Sequence, residues 1–479
     1  MVQHYSQLSF KQFSDLKKIE VMAPFDQSVI ATVDVADEKS VDSALHFAYQ
    51  QFIDRSRWLS KTERLAILNK AAQLMETQID TLAIEAAREG GKPLIDSRVE
   101  VIRAIESIKL CVDTLRNSAG QEIPMGINPA SEEHLAFTSH EPIGVVVAVS
   151  AFNHPLNLIA HQVGPAIAAG CPVIVKPSQD TPLSCLRLVK IFYEAGLPQE
   201  WCQALVIADR ELATKLVIDE RVAFFSFIGS AQVGWMLRSK LAPGTRCALE
   251  HGGVAPVIIA ADADLEKTIA AVAKGGFYHA GQVCVSVQRI FCQRQIVDEF
   301  TSRLAQIADK LIVGDPTLEE TDVGPLIRPR EVDRIDQWVK EAITEGATLI
   351  TGGKKLSESC YAPTILLNPA RSSKISRQEV FGPVVVVYFY DDIDEAIHNA
   401  NALPFAFQAA IFTNSLDLSL RAYKQLEASA VMVNDHTAFR VDWMPFAGLK
   451  QSGLGVGGIP HTFQDMQIEK MLVIKSTEL

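Results

Sequence analysis

Between residues 143 and 230 the chain alternates short β-branched apolar runs with longer amphipathic stretches. IGVVVAVSAF (143–152) is followed by NLIAHQVGPAIAAG, PVIVKPS, TPLSCLRLVKIFYEAG, ALVIA (204–208), ELATKLVID and VAFFSFIGS. Apolar runs without polar alternation are strands buried on both faces. Helices between such strands make crossover connections, which means a parallel sheet with helices on both sides. The alternation restarts after residue 250 with VAPVIIA, a helix over 264–280, RIFCQ and a helix over 297–311. It goes on through VVVVYFY (384–390), helices in DDIDEAIHNANA and LDLSLRAYKQL, and a strand in ASAVMVN. Two α/β units therefore meet near residue 250. Upstream, 39–118 reads as helices, with Ser40 and Ser60 as N-caps and Gly90-Gly91-Lys92-Pro93 as a break. Residues 122–141 are polar with β-prone patches and read as an exposed hairpin.

A chain of 479 residues is too long for one core, so two or three domains are expected. The net charge of −12, with no basic run, excludes a nucleic-acid footprint. The most apolar segment, 143–175, is interrupted by Asn153, His154, Pro155, Asn157, His161 and Gln162, which excludes a membrane span. The opening MVQHYSQLSFKQFSDLKK has no apolar leader stretch, so a cytoplasmic location is expected. Eight cysteines form no C-x-x-C pair and no zinc-like cluster with histidine; they are expected to be free thiols, with no metal site.

Five short stretches carry candidate chemistry. FIGSAQVG (227–234) puts Gly229 and Ser230 at a strand-to-helix junction, where Ser230 can cap and the helix N-terminus can hold a pyrophosphate. IVKPS (174–178) brings Lys176 out at a strand end, either toward a ribose or phosphate or simply to the surface before a turn. Cys284, behind the Gly-Gln-Val of FYHAGQVCVSVQR, is either a packed thiol or a nucleophile activated by positive potential or backbone N–H groups. ALEHGG places Glu250 before His251 and two glycines, as a general base or a solvated strand-end charge. SAFNHP puts Asn153 after the first strand, as an oxyanion donor or a turn residue.

Taken in order, FNHP (152–155), VKPS (175–178), FIGSAQVG (227–234), LEHGG (249–253), GQVC (281–284), EVFGPV (379–384) and PFAGLKQSGLG (445–455) resemble the aldehyde dehydrogenase superfamily along nearly the whole chain. VNDHTAFRVDWMPFAG is similar to the branch acting on small polar or anionic aldehydes, such as lactaldehyde and phosphonoacetaldehyde. The resemblance implies two parallel-sheet α/β domains and a small β oligomerisation arm. The Rossmann-like cofactor domain would be 1–121 and 142–252, the catalytic domain 253–461, and the arm 122–141 and 462–479, building a homodimer or homotetramer. It also implies thiolate attack by Cys284, an oxyanion held by Asn153 and the Cys284 N–H, hydride transfer to NAD or NADP, and hydrolysis of the thioester by water activated by Glu250. Lys176, Ser178 and Gln179 would meet the adenosine ribose, Gly229 and Ser230 the pyrophosphate, and Glu379 and Phe381 the nicotinamide ribose.

Departures from the family pattern carry information. Gln179 stands where many members have a glutamate that repels a 2′-phosphate, which implies that NADP is accepted alongside NAD. His251 replaces a leucine and His279 an asparagine. Arg103, His154, His436 and Arg440 are candidate cations at the substrate mouth, favouring an anionic or hydroxylated aldehyde; the alternative is that Arg440 is a solvated loop charge and His154 a turn residue. Two other functions compete: capture of the thioester by coenzyme A, and a non-catalytic structural oligomer that keeps the fold.

Overall fold

The computed structural model describes residues 2–479. The four strands expected from the first alternation, with Arg246–Glu250 beside them, pair in parallel in one sheet. In space the order is Arg246–Glu250, Val222–Ile228, Val145–Val149, Val173–Lys176, Cys202–Ala204. The sheet starts at its middle strand, grows outward twice, then resumes on the other side of that strand. The carboxyl ends of Val145–Val149 and Val222–Ile228 thus flank the reversal point where α/β sheets bind ligands. A second, seven-stranded sheet holds Ala255–Ile259 and Val287–Gln293 at its centre, with Val384–Tyr390 and Gln408–Phe412 beside them. Its strands pair in parallel except at the Thr348–Thr351 edge. Val145, Val146, Val147 and Ala148 are fully buried, as are Val385, Val386 and Val387, because helices cover both faces. The fold is α/β throughout.

His134–Pro142 and Glu122–Ile123 pair with each other, and Gln467–Lys475 pairs along all of His134–Pro142 to make a separate three-stranded sheet. A further sheet of Gln3–Tyr5, Val29–Asp34 and Lys18–Met22 was not foreseen. Among the described residues no helix is long and apolar enough to cross a membrane.

Several expectations need correction. Ser60 caps its helix with a full capping box to Glu63, but Ser40 does not cap. Asp37 does, accepting from the Ser40 N–H at 2.8 Å, and Ser40 lies buried inside the first turn. The strand expected at 204–208 is Cys202–Ala204. Beyond it the chain leaves the ladder: the Val206 carbonyl accepts from the Ala36 N–H, and the Ile207 carbonyl from the Gln179 side chain. The division expected at 461 cuts through the helix Ile459–Asp465, whose Ile459 and Phe463 are buried in the core of the first sheet. The chain has already crossed back by Gly453–Leu454, which pairs antiparallel with Arg246–Glu250.

Candidate active site

Parallel strands end on the same edge of their sheet, so one edge collects most of the motifs. Asn153 follows Val145–Val149, Lys176 ends Val173–Lys176, Gly229 and Ser230 follow Val222–Ile228, and Glu250 ends Arg246–Glu250. Cys284 comes from the second sheet, in the turn leading into Val287–Gln293.

That turn is shaped by an unusual backbone. His279, Ala280 and Gly281 have φ of 49°, 52° and 67° in succession. Left-handed residues without glycine's freedom are held only when their surroundings over-determine them. A Cβ on Gly281 would lie 2.1 Å from the Gly382 carbonyl oxygen, so only glycine fits. Gln282, fully buried, clamps the turn: its amide donates to the Pro325 carbonyl at 3.2 Å and accepts from the Ile327 N–H at 3.0 Å. Its backbone carbonyl accepts from Asn153 Nδ2 at 2.9 Å, which aligns the asparagine amide beside the cysteine turn. The Cys284 carbonyl accepts from the Gly253 N–H at 3.0 Å, tying the thiol's turn to the segment after Glu250.

Burial, then the charges of Glu379 and Glu250, push the Cys284 thiol up to about 12, while Arg440 pulls it down. Burial also raises Glu250, opposed by Arg440. The Glu250 carboxylate packs on Gly457, where a Cβ would sit 2.2 Å from its Oε1. A thiol, two carboxylates and a guanidinium thus lie close enough to act on one another's charge, with the Asn153 amide held against the turn that carries the thiol. Buried acids of raised pKa are proton acceptors near neutral pH, the property a general base needs.

Behind Asn153 lies an ion pair missing from the sequence reading. Lys92 and Glu100 are fully buried and hydrogen-bonded to each other. Glu100 Oε1 also accepts from the N–H groups of Leu156 (2.9 Å) and Asn157 (3.0 Å), fixing the loop that carries Asn153. The only local signal was Lys92 in a Gly-Gly-Lys-Pro break, where a buried charge is not expected.

The cofactor-side candidates surround the same edge. Lys176 Nζ donates to the Pro177 carbonyl at 3.1 Å, and burial lowers it to about 8. Ser178 bonds to Asp180, and Gln179 is anchored to the Ile207 carbonyl at 3.0 Å. Ser230 occupies the N-cap position of the helix Ala231–Arg238 without a side-chain capping bond, contrary to expectation; its φ/ψ is extended but its hydroxyl makes no bond to the helix. Glu379 is half-buried and packs against Gly252, its Oε1 is buried without a partner, and desolvation pushes its carboxyl up to about 8, with Arg334 and the Gly253 N–H opposing. Phe381, at φ 49°, packs edge-on to Phe152. A spare serine hydroxyl at a helix N-terminus and an unpartnered buried carboxylate oxygen fit the phosphate and ribose hydroxyls of a dinucleotide. His251 faces away from Cys284: Nδ1 bonds the Gly229 carbonyl at 2.9 Å and the ring sits between Phe227 and Trp235.

On the substrate side the four candidates separate. His154 is no cation; burial, then Lys92, hold it well below its ordinary value, and Nε2 meets Tyr278 Oη at 3.2 Å. His436 is likewise lowered by burial, and its Nδ1 accepts from the Ala438 N–H. Arg103 is paired bidentately with Asp442, at 3.1 and 2.6 Å. Arg440 differs. Among the described residues it makes no ion pair, its Nε has no partner, and its guanidinium lies 3.5 Å over the Phe446 ring. His279 is buried with both ring nitrogens unpartnered, edge-on to His154.

Residues 10–472 match the model of the aldehyde dehydrogenase family. The chain is 39% identical over 458 residues to a 3-sulfolactaldehyde dehydrogenase of Priestia aryabhattai, covering 96% of this chain and 95% of the relative. It superposes with a TM-score of 0.95 on aldehyde dehydrogenase 21 from Physcomitrella patens, in complex with its reaction product succinate, at 33% identity over 100% and 99% of the two chains. A glyceraldehyde-3-phosphate dehydrogenase from Methanocaldococcus jannaschii, complexed with NADP, gives a TM-score of 0.92 at 35% identity over 97% and 100%.

Proposed function

Because this chain belongs to the aldehyde dehydrogenase family and is an enzyme that works with NAD or NADP, we propose that it oxidises a small anionic or polar aldehyde to the carboxylic acid through a covalent bond to Cys284. The reading rests on one observation: Arg440, a guanidinium without a carboxylate partner among the described residues, shares the space around the Cys284 thiol with Glu250. Arg440 is half-buried with its Nε buried and unpartnered, and such a cation is costly unless a ligand's anion completes it. The names of similar proteins agree in kind, since sulfolactaldehyde and succinate both carry an acidic group.

In this mechanism the Cys284 sulfur, its proton taken by Glu250, bonds to the aldehyde carbon. The carbonyl oxygen becomes an oxyanion that accepts from Asn153 Nδ2 and the Cys284 N–H. Bound NAD(P) supplies the hydride acceptor. It would be held by Lys176, Ser178, Gln179, Gly229, Ser230, Glu379 and Phe381. Once Glu250 has passed that proton on to solvent, it takes another from water, which attacks the thioester carbon; the C–S bond breaks and the acid leaves. The carboxylate at the base position favours water over coenzyme A, and stimulation of turnover by coenzyme A would reverse that choice.

Cys284→Ala should abolish reduced-cofactor production; undiminished turnover would reject the mechanism. A panel of succinate semialdehyde, phosphonoacetaldehyde, lactaldehyde, glycolaldehyde and hexanal tests the substrate class. If hexanal has the highest kcat/KM, the cationic mouth is wrong. Gln179 supports acceptance of both cofactors, and a several-hundredfold preference for NAD would refute it. The sheet of Glu122–Ile123, His134–Pro142 and Gln467–Lys475 forms the oligomerisation arm in this reading, because Gln467–Lys475 is an edge strand with Met471, Leu472, Val473 and Ile474 exposed. A cytoplasmic homodimer or homotetramer follows, which sedimentation would distinguish from a monomer.

A further inference from the structure

Three elements far apart in sequence meet beside Arg440. Asp442 accepts from Arg103 through both oxygens, at 3.1 and 2.6 Å. Its Oδ1 also lies 2.8 Å from His161 Nε2. On the far side of the same ring, His161 Nδ1 lies 3.4 Å from a terminal nitrogen of Arg440. His161, in the helix Asn157–Ala169, is buried, as is Asp442. Ser107 Oγ stands 3.2 Å from His161 Nε2 and steadies the ring.

Only one protonation form of this ring fits both neighbours. A carboxylate oxygen at 2.8 Å needs a proton on Nε2, because a lone pair there would face the carboxylate. A guanidinium N–H at Nδ1 needs a lone pair there, because a second proton would face a cation. The neutral Nε2–H form meets both demands. Burial, then Arg440 and Arg103, lower His161 to about 4, with Asp442 opposing, in keeping with a ring neutral under physiological conditions.

We propose that His161 is a positioning residue for substrate selection: it couples Asp442 to Arg440 and holds the Arg440 guanidinium, against Phe446, in the orientation that receives the substrate's anionic group. Asp442 spends its charge on Arg103 and the His161 N–H, so Arg440 keeps its own charge for the ligand. The inference rests on the anionic-aldehyde reading above. Its chemistry is specific to the ring's two faces, a donor toward Asp442 and an acceptor toward Arg440. A glutamine at 161 offers both, and a leucine offers neither.

The test compares steady-state kinetics of the full-length enzyme with succinate semialdehyde and with butanal, an uncharged aldehyde of the same chain length. His161→Leu should raise KM for succinate semialdehyde about 10-fold, the effect of losing one hydrogen bond to a charged group, with kcat and the butanal KM little changed. His161→Gln should recover most of the loss. Should the leucine variant not fold, His161→Met, which fills the same space without a ring acceptor, carries the same expectation. Equal KM increases for both aldehydes, or a glutamine variant no better than leucine, would make His161 a packing residue and overturn the proposal. Arg440→Gln separates the two levels. If it abolishes the preference for succinate semialdehyde while His161→Leu leaves it intact, only this inference fails. If neither changes it, the anionic-aldehyde reading fails as well.

Discussion

Replacing Asn153 by alanine removes one N–H from the transition state of thiol attack and one hydrogen bond from the turn that carries Cys284. The amide has two N–H groups. Nδ2 lies 2.9 Å from the Gln282 carbonyl, so one N–H is engaged before substrate arrives and the other is free for a developing oxyanion. A donor that acts only in the transition state is worth about 3 kcal/mol, roughly a hundredfold in rate. The Gln282 bond exists in ground and transition states alike and contributes about 1 kcal/mol to stability. The alanine variant should therefore lose about 100-fold in both kcat and kcat/KM, with a melting temperature lower by only a few degrees. Asn153→Asp should be slower still. It sets a carboxylate oxygen against the Gln282 carbonyl and adds a negative charge where Glu379 and Glu250 already hold the Cys284 thiol up. The assay is stopped-flow formation of reduced cofactor at saturating aldehyde, with thermal melts of each variant alongside. An alanine variant within about threefold of wild type, or an aspartate variant faster than alanine, would refute the claim that this amide stabilises the oxyanion.

Three further outcomes follow from the geometry. Gly234→Ala places a Cβ 2.0 Å from His251 Cε1 and should cost about 1–3 kcal/mol by overpacking; adding His251→Ala should recover most of it, read from denaturant melts as a double-mutant cycle. Glu379 keeps its proton up to about pH 8 when folded but releases it near 4.5 when unfolded, so the native state binds more protons in that window and stability falls as pH rises through it. Glu379→Gln should leave stability unchanged below that window and raise it increasingly toward its upper end, in melts of the ligand-free enzyme. Lys92→Met strands the fully buried Glu100 carboxylate and should cost at least about 3 kcal/mol, with kcat reduced because Glu100 anchors the loop behind Asn153.

What could be seen in the chain alone was whatever physics is local. Fully apolar strands at Val145–Val149 and Val384–Tyr390 announced a doubly covered parallel sheet, and residues at strand ends fell on one edge because parallel strands share a direction. The roles of the cations were hidden for the opposite reason. Arg103 looked free because its partner, Asp442, is 339 residues away. His154 looked chargeable because burial beside Lys92 has no signature in a short window. Lys92 itself looked like a loop lysine, since the Glu100 that neutralises it lies a full helix turn and more into the next element. Ser40 reads as a cap because Asp37, Glu38 and Ser40 all crowd the helix entrance, and only geometry shows which oxygen faces the N–H groups.

The return of the chain to its first sheet also bears on how the protein is made. Residues from Val21 onward pack into a core that is complete only when Ile459, Phe463 and Met466 arrive. The edge beside Arg246–Glu250 is covered only by Gly453–Leu454, and His134–Pro142 waits for Gln467–Lys475. A nascent chain emerging N-terminus first therefore has a half-roofed first layer until residues 453–475 arrive. The second sheet, whose buried core runs from Val257 to Met432, can close earlier than the layer that was begun first. Translation order and completion order are inverted, and residues 453–475 act as the clasp for a unit whose earlier strands have long since left the ribosome.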